Sequence, residues 1–203
     1  MITLYKYTHP SRAETVVWAL QELGFDYEVK ELNGHKFEQR QPDFLAINPF
    51  GKIPAMTHNG KHFTESLAII EYLNDLHPDK PLTPSQDDDN YAQKNYKLRQ
   101  VISFGMIEIE SYLWILTKIK VLENYENWPE GTAENCIKNI QNALPIASSW
   151  LESQEYIAGD SFTLADIYYH HLFNWLKMLG IKLPEKVTAY LKRLSTRERF
   201  PKR

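Results

Sequence analysis

Three short segments in the first eighty residues place polar side chains where chemistry is expected. Thr8-His9-Pro10-Ser11 lies between a strand-like and a helix-like run. A hydroxyl at a helix start can cap the first turn, or it can donate a hydrogen bond to a thiolate brought in by a ligand. One geometry of Ser11 Oγ does not easily serve both roles. Asn48-Pro49-Phe50-Gly51-Lys52-Ile53-Pro54 puts a proline where a strand should begin. That is either an ordinary proline turn or a cis X-Pro bond. A cis bond would aim the Ile53 N–H and C=O outward, and an extended peptide could pair with them as another strand. Thr64-Glu65-Ser66 precedes a second helix-like run. Ser66 can cap that helix, whose N-terminus also gathers anions. Ser66 could hold a carboxylate and Glu65 an ammonium, which together suit an α-amino acid head group. Capping accounts for Ser66 alone but not for the acid at Glu65.

The elements that must position these residues follow from periodicity. Ile2 and Leu4 alternate with polar or mixed residues, as in a strand. Ser11 opens a helix whose apolar positions are Ala13, Val16, Val17, Leu20 and Leu23, and Gly24 ends it. Tyr27 to Leu32 alternates again. A polar stretch, Asn33 to Gln41, leads to a short irregular helix at Pro42-Asp43-Phe44-Leu45. Ile53–Thr57 and His62–Thr64 flank Asn59-Gly60, a strong hairpin signal. Ser66 to Leu76 reads as a helix with Leu67, Ile70, Leu73 and Leu76 inward. The order βαβαββα predicts a four-stranded mixed sheet with helices on its faces.

After residue 77 the pattern changes. Pro78, Pro81 and Pro84 mark an extended linker that ends in Asp87-Asp88-Asp89, where negative charge suits a helix start. Residues 88–123, 130–154, 163–179 and 184–195 all read as helices. The expected organisation is an α/β domain at 1–77, a linker at 78–89 and an all-helical domain at 90–203.

Composition narrows the function classes. The chain has 203 residues, with 43% apolar and 24% charged, a balance that excludes wholesale disorder. Its longest stretch without a charged side chain, 139–151, contains Pro145 and is too short and too polar to span a bilayer. The N-terminus reads as a strand rather than a secretory signal. Cys136 is the only cysteine, which excludes an intrachain disulfide, a thiolate zinc cluster and a CxxC redox pair. A formal charge of −3 gives no reason to expect nucleic acid. The default expectation is a cytoplasmic protein.

The sequence resembles the glutathione transferase superfamily over nearly its whole length. The resemblance rests on the turn ending in Ser11, on Asn48 to Pro54, on Glu65-Ser66 before Leu67-Ala68-Ile69-Ile70-Glu71-Tyr72-Leu73, and on Gly159-Asp160-Ser161-Phe162-Thr163-Leu164-Ala165-Asp166. It implies a thioredoxin-like N-terminal domain, a helical C-terminal domain, and glutathione as cosubstrate without a metal. It implies that Ile53, with Pro54, meets the cysteinyl part of glutathione through its backbone. Glu65 and Ser66 would bind the γ-glutamyl end, and Lys52 and Gln39 the glycyl carboxylate. Ser11 would face the thiol, as in the serine-type classes, with Tyr5 and Tyr7 as alternatives. Cys136 lies far from that turn, which disfavours a cysteine-type enzyme.

The implied activity is conjugation of the glutathione thiolate to small hydrophobic electrophiles, a detoxifying transferase reaction. Glutathione-dependent isomerase or peroxidase activity, or a non-catalytic scaffold on the same fold, are the alternatives. The electrophile is expected in the cleft between domains, with Tyr7, Phe104, Tyr112 and Trp114 as candidate walls. For each of these, helix-core packing is the competing reading. Phe50 is expected to anchor a homodimer, against packing within its own loop.

Other groups read as structural. Thr163-x-x-Asp166 forms a capping box, with Phe162 and Ile167 as its hydrophobic staple. Adjacent His170 and His171 point about 100° apart on a helix and chelate poorly together. The basic residues of 182–203 read as a solvated helix and tail, with no nucleic-acid or membrane partner.

Overall fold

A computed structural model describes residues 1–77, 79, 81–122 and 127–201. The last two residues of the basic tail, Lys202 and Arg203, and the end of the 88–123 segment lie outside them. The chain divides into two compact units, Met1–Thr83 with Arg197–Arg203, and Pro84–Thr196. The first is thioredoxin-like and the second is all helical.

In the first unit the strands are β1 (Ile2–Tyr7), β2 (Tyr27–Leu32), β3 (Ala55–His58) and β4 (Lys61–Thr64), in the order β2-β1-β3-β4. β1 pairs parallel with β2, and β3 pairs antiparallel with both β1 and β4. Side chains alternate between the faces of β1. Lys6 reaches Glu14 of α1 (Ala13–Leu23) at 2.9 Å, so Ile2, Leu4 and Lys6 face that helix. α1 also packs against α3 (Ser66–Asp75). On the opposite face Tyr5 joins Leu32, Ala55 and Phe44, the last from α2 (Pro42–Leu45). The polar stretch before α2 is not extended: it forms 3-10 turns at Gly34–Lys36 and Glu38–Arg40.

Two helix details differ from the sequence expectation. α1 begins at Ala13 because Ser11 to Glu14 first close a tighter turn, with Glu14 N–H donating to Ser11 O at 3.1 Å. In α3 the buried row is Ile69, Ile70 and Leu73, while Leu76 is 43% exposed. Leu76 already lies past the last helical residue and follows the turn outward.

The C-terminal residues of this unit hold the far end of α1. Arg197 grips Glu22 through two nitrogens, at 2.9 and 3.1 Å. Arg199 donates to the carbonyls of Gln21 and Glu22, placing a cation at the negative end of the helix. Phe200 stacks edge-on against Trp18.

The second unit contains α4 (Tyr91–Phe104), α5 (Ser111–Lys120), α6 (Thr132–Ser149), α7 (Leu164–Met178) and α8 (Glu185–Leu194). The single helix expected over 88–123 is interrupted by a π-helical turn at Gly105–Glu110. The cause lies on α7. Tyr169 donates its hydroxyl to Val101 O at 2.7 Å, and Tyr168 donates to Glu110 at 2.6 Å. Both tyrosines press on Gly105, where an added Cβ would meet Tyr168 at 2.7 Å. A side chain that engages the helix ladder in this way shifts its hydrogen bonds. Among the described residues no helix is long and apolar enough to cross a membrane.

Thr163 and Asp166 form the expected capping box at the start of α7. Asp166 does more than cap. It is fully buried and accepts from Ile157 N–H, Thr163 N–H, the Thr163 hydroxyl and the Tyr190 hydroxyl. Burial pushes its pKa up, and these donors oppose the rise. Asp166→Ala would orphan several buried donors, each costing about 1–3 kcal/mol. Urea unfolding should show a loss of at least about 3 kcal/mol; a loss below about 1 kcal/mol would remove Asp166 from this role.

Candidate active site

Strand register gathers the candidate residues of the first unit. Tyr5 pairs with Ala55, so β1 runs on toward Tyr7 and the Thr8–Arg12 turn where β3 begins. Ala55 pairs with Thr64, so Ile53-Pro54 and Glu65-Ser66 flank one end of the hairpin. Tyr7 pairs with Leu32, which brings the segment after Asn33 to that same end. α1 and α3 both start there. Two positive helix ends therefore converge on one edge of the sheet, a setting that favours anionic groups.

Ser11 is half-buried, and its Oγ accepts from Ala13 N–H at 3.3 Å. A hydroxyl has two acceptor positions and one donor, so this bond leaves the O–H available. Accepting from Ala13 N–H and donating to a ligand would thus use different parts of one group, so the first does not exclude the second.

The Ile53–Pro54 bond is cis, the second of the two readings of that turn. The Ile53 N–H and C=O make no hydrogen bond to another described residue. The Ile53 side chain packs against the Tyr5, Leu32, Phe44 and Ala55 cluster.

Ser66 does not cap α3. Glu65 occupies the cap position, with φ 65° and ψ 112°, and no side chain closes that turn. Such a backbone costs a non-glycine residue on the order of 1–3 kcal/mol, and cases of this kind cluster at ligand-binding positions. The Ser66 side chain, in a residue 8% exposed, makes no hydrogen bond to another described residue, while the Glu65 side chain is exposed.

Gln39 and Lys52 are brought together through Gly51. Gly51 has φ +58°, and a Cβ there would lie 2.8 Å from Gln39 O. Asn48 fixes this loop by donating to Lys52 O at 2.7 Å, which leaves the Lys52 side chain exposed. Gln39 Oε1 is buried without a hydrogen-bond partner.

The remaining candidates separate. Tyr5 is 8% exposed and belongs to the core cluster, whereas Tyr7 is half-buried at its edge. In the second unit Phe104 lies edge-on to Trp150, and Trp114, 39% exposed, lies edge-on to Trp175. Tyr112 is half-buried on α5. Phe50 is 66% exposed; its N–H donates to Asn48 Oδ1 and its carbonyl accepts from Arg40, so the loop holds the ring outward. Cys136 is buried on α6, and burial raises its thiol pKa. His170 accepts from Asn174, and His171 packs on Trp175. No cluster of metal-ligating side chains occurs among the described residues.

The sequence reading missed an aromatic stack at this end. His9 lies parallel to Tyr7, with ring centroids 4.9 Å apart, and His35 approaches His9 at 6.0 Å. Gly34 fits beneath, where a Cβ would sit 3.3 Å from the Tyr7 ring. The available signal was that both histidines follow strands whose last residues, Tyr7 and Leu32, are register partners.

Comparison with known proteins gives a consistent picture. Residues 1–75 match the model of the glutathione S-transferase N-terminal domain, and residues 113–198 match that of the C-terminal domain. Glutathione S-transferase Z2 of Arabidopsis thaliana is 32% identical over 183 residues, covering 85% of this chain and 77% of the relative. Glutathione S-transferase F10 of the same plant is 30% identical over 207 residues, covering 97% and 93%. The crystal structure of a glutathione transferase from Methylococcus capsulatus superposes with a TM-score of 0.80 at 26% identity, covering 98% of this chain and 95% of that one.

Gly51→Ala tests how tightly the loop that joins Gln39 to Lys52 is built. The clash and the left-handed backbone together should cost about 1–3 kcal/mol, read as a lower thermal midpoint. An unchanged midpoint would show that the loop moves freely away from Gln39.

Proposed function

Because the chain belongs to the glutathione S-transferase family, we propose that it binds glutathione at the gathered end of its sheet and transfers the sulfur to small hydrophobic electrophiles. The carrying observation is the register that brings Ser11, Ile53 and Glu65-Ser66 to one end. In this reading the Ile53 backbone pairs with the cysteinyl residue as an added strand would. Ser66 and the first N–H groups of α3 receive the γ-glutamyl carboxylate, and Glu65 receives its ammonium. Lys52 and Gln39 receive the glycyl carboxylate. The site is proposed to work in the cytoplasm.

The extended pairing places the sulfur at the start of α1. A thiol of this kind has a pKa of about 8.5, and lowering it by about two units requires about 2.7 kcal/mol in favour of the thiolate. A hydrogen bond from the Ser11 hydroxyl to the charged sulfur contributes about 1.5–3 kcal/mol. The helix end adds about 0.3–1 kcal/mol. The two together match the requirement. The thiol proton leaves to water, the thiolate forms a carbon–sulfur bond, and the displaced group departs with the electron pair of the bond that breaks.

Phe50 extends the proposal to assembly. Held outward by its loop, its ring serves as the anchor of a homodimer in a pocket of a second copy.

Ser11→Ala should lower kcat/KM toward an aryl halide about 10- to 100-fold, with the glutathione dissociation constant nearly unchanged. The pKa of the bound thiol should rise by about one to two units. No binding of glutathione at millimolar concentration would overturn the whole reading. Full activity in Ser11→Ala, with loss in Tyr5→Phe or Tyr7→Phe, would move the donor to a tyrosine. For assembly, sedimentation of Phe50→Ala should show a monomer at concentrations where the unaltered chain is a dimer. A dimer in both would remove Phe50 from the interface.

A further inference from the structure

Lys97 on α4 is half-buried, and its Nζ lies over the face of Trp150, 4.6 Å from the ring centre. Phe104 and Tyr169 meet that indole in T-shaped contacts, with ring centroids at 5.1 and 6.4 Å, so the platform beneath the amine is packed rather than loose. Lys97 Nζ donates to Gln100 Oε1 at 3.3 Å. Gln100 Nε2 donates in turn to the Tyr96 hydroxyl at 3.3 Å, which keeps the amide oxygen turned toward the amine. Lys97 has no ion-pair partner among the described residues. Other lysines do: Lys94, one turn earlier on α4, is paired with Asp88, Lys6 with Glu14 and Lys186 with Glu152.

An ammonium that is partly buried without a carboxylate loses hydration and gains no opposite charge in return. The indole face attracts it only weakly. Burial pushes the Lys97 pKa down. More of this side chain is therefore free amine at neutral pH than for a fully hydrated lysine, and the free amine is the nucleophilic form. Acylation suits the same surroundings. It replaces the unpaired charge with a neutral amide, and the one N–H of that amide can still donate to Gln100 Oε1.

We propose that Lys97, set on the Trp150 face beside Gln100, is a modification site acylated by acyl thioesters. The amine attacks the thioester carbonyl carbon and a carbon–nitrogen bond forms. The carbon–sulfur bond breaks, and the sulfur departs with its electron pair. The proton lost from nitrogen goes to that thiolate, so the products are an amide and a thiol. Positive charge develops on nitrogen during the attack, and Gln100 Oε1 is already placed to accept from its N–H. All of these residues belong to the second unit, and the proposal stands independently of the glutathione reading.

Acetyl-coenzyme A at millimolar concentration and neutral pH is the probe, with the acetylation rate at each lysine read by peptide mass spectrometry. Two lysines of the same chain serve as references: Lys138, exposed on α6, and Lys94, paired with Asp88. Lys97 should be acetylated at least about fivefold faster than either, because the fraction of free amine sets the rate. Gln100→Glu sets a carboxylate beside the amine and favours the ammonium. It should slow Lys97 at least about threefold and leave Lys138 unchanged. Gln100 is exposed, so this variant should keep the circular dichroism and thermal midpoint of the unaltered chain. Equal rates at Lys97 and Lys138 in the unaltered chain would overturn the proposal, as would an unchanged Lys97 rate in Gln100→Glu.

Discussion

The double pairing of β1 is the constraint on which the rest of the first unit depends. One strand fixes two neighbours, β2 in parallel and β3 antiparallel, and β4 follows from β3. The register places four chain segments at one end of the sheet, and the Tyr5, Leu32, Phe44 and Ala55 cluster packs side chains of β1, β2, α2 and β3 together there. A one-residue slip in β1 would exchange Tyr5 and Tyr7 for Lys6 on the face that carries Phe44. It would bury the Lys6 ammonium against the Tyr5 cluster and break its pairing with Glu14. The hydrophobic pattern therefore holds the register, and the register holds the site.

The electrostatics follow from the same topology. A helix that begins where a strand ends points its unpaired N–H groups at the strand's end. Two helices do so here, α1 after β1 and α3 after β4. The site can therefore attract negative charge before any cationic side chain is considered. In the proposed reading Ser11 adds one directed donor to this field, while its oxygen accepts from Ala13 N–H. The C-terminal residues hold the opposite end of α1 through Arg197 and Arg199, so the helix that presents Ser11 is fixed at both ends.

Much of this was legible in the sequence because it rests on local rules. Gly24 stops α1, Asn59-Gly60 turns the hairpin, and Thr163 with Asp166 opens α7, each within a few residues. The parts that were not legible depend on distant partners. The π-helical turn exists because Tyr168 and Tyr169 reach Gly105 from another helix, and periodicity within 88–123 carries no trace of them. Ser66 looked like a cap because serine caps helices well. The structure instead gives the cap position to Glu65 in a strained backbone that sequence preference argues against. At Ser66 and Glu65 a local rule fails within the proposed site.

That failure has a physical reading when the two units are compared. Among the described residues of the helical unit, many buried polar groups have partners: Asp166 accepts from Ile157, Thr163 and Tyr190, Tyr169 donates to Val101 O, and Trp175 donates to Thr117. Gln154 Oε1 is a buried orphan there among the described residues. The gathered end of the sheet leaves such groups open. Gln39 Oε1 is buried without a partner, the Ile53 backbone is unpaired among the described residues, and Glu65 holds a positive φ. Each buried orphan costs about 1–3 kcal/mol, and so does the strained backbone. In the proposed reading that cost keeps the groups pre-aligned for a polar, extended partner. In that reading an extended peptide-like ligand pairs with the Ile53 backbone, and it is from the N–H donors of that ligand, not from its carboxylates, that the Gln39 oxygen can accept.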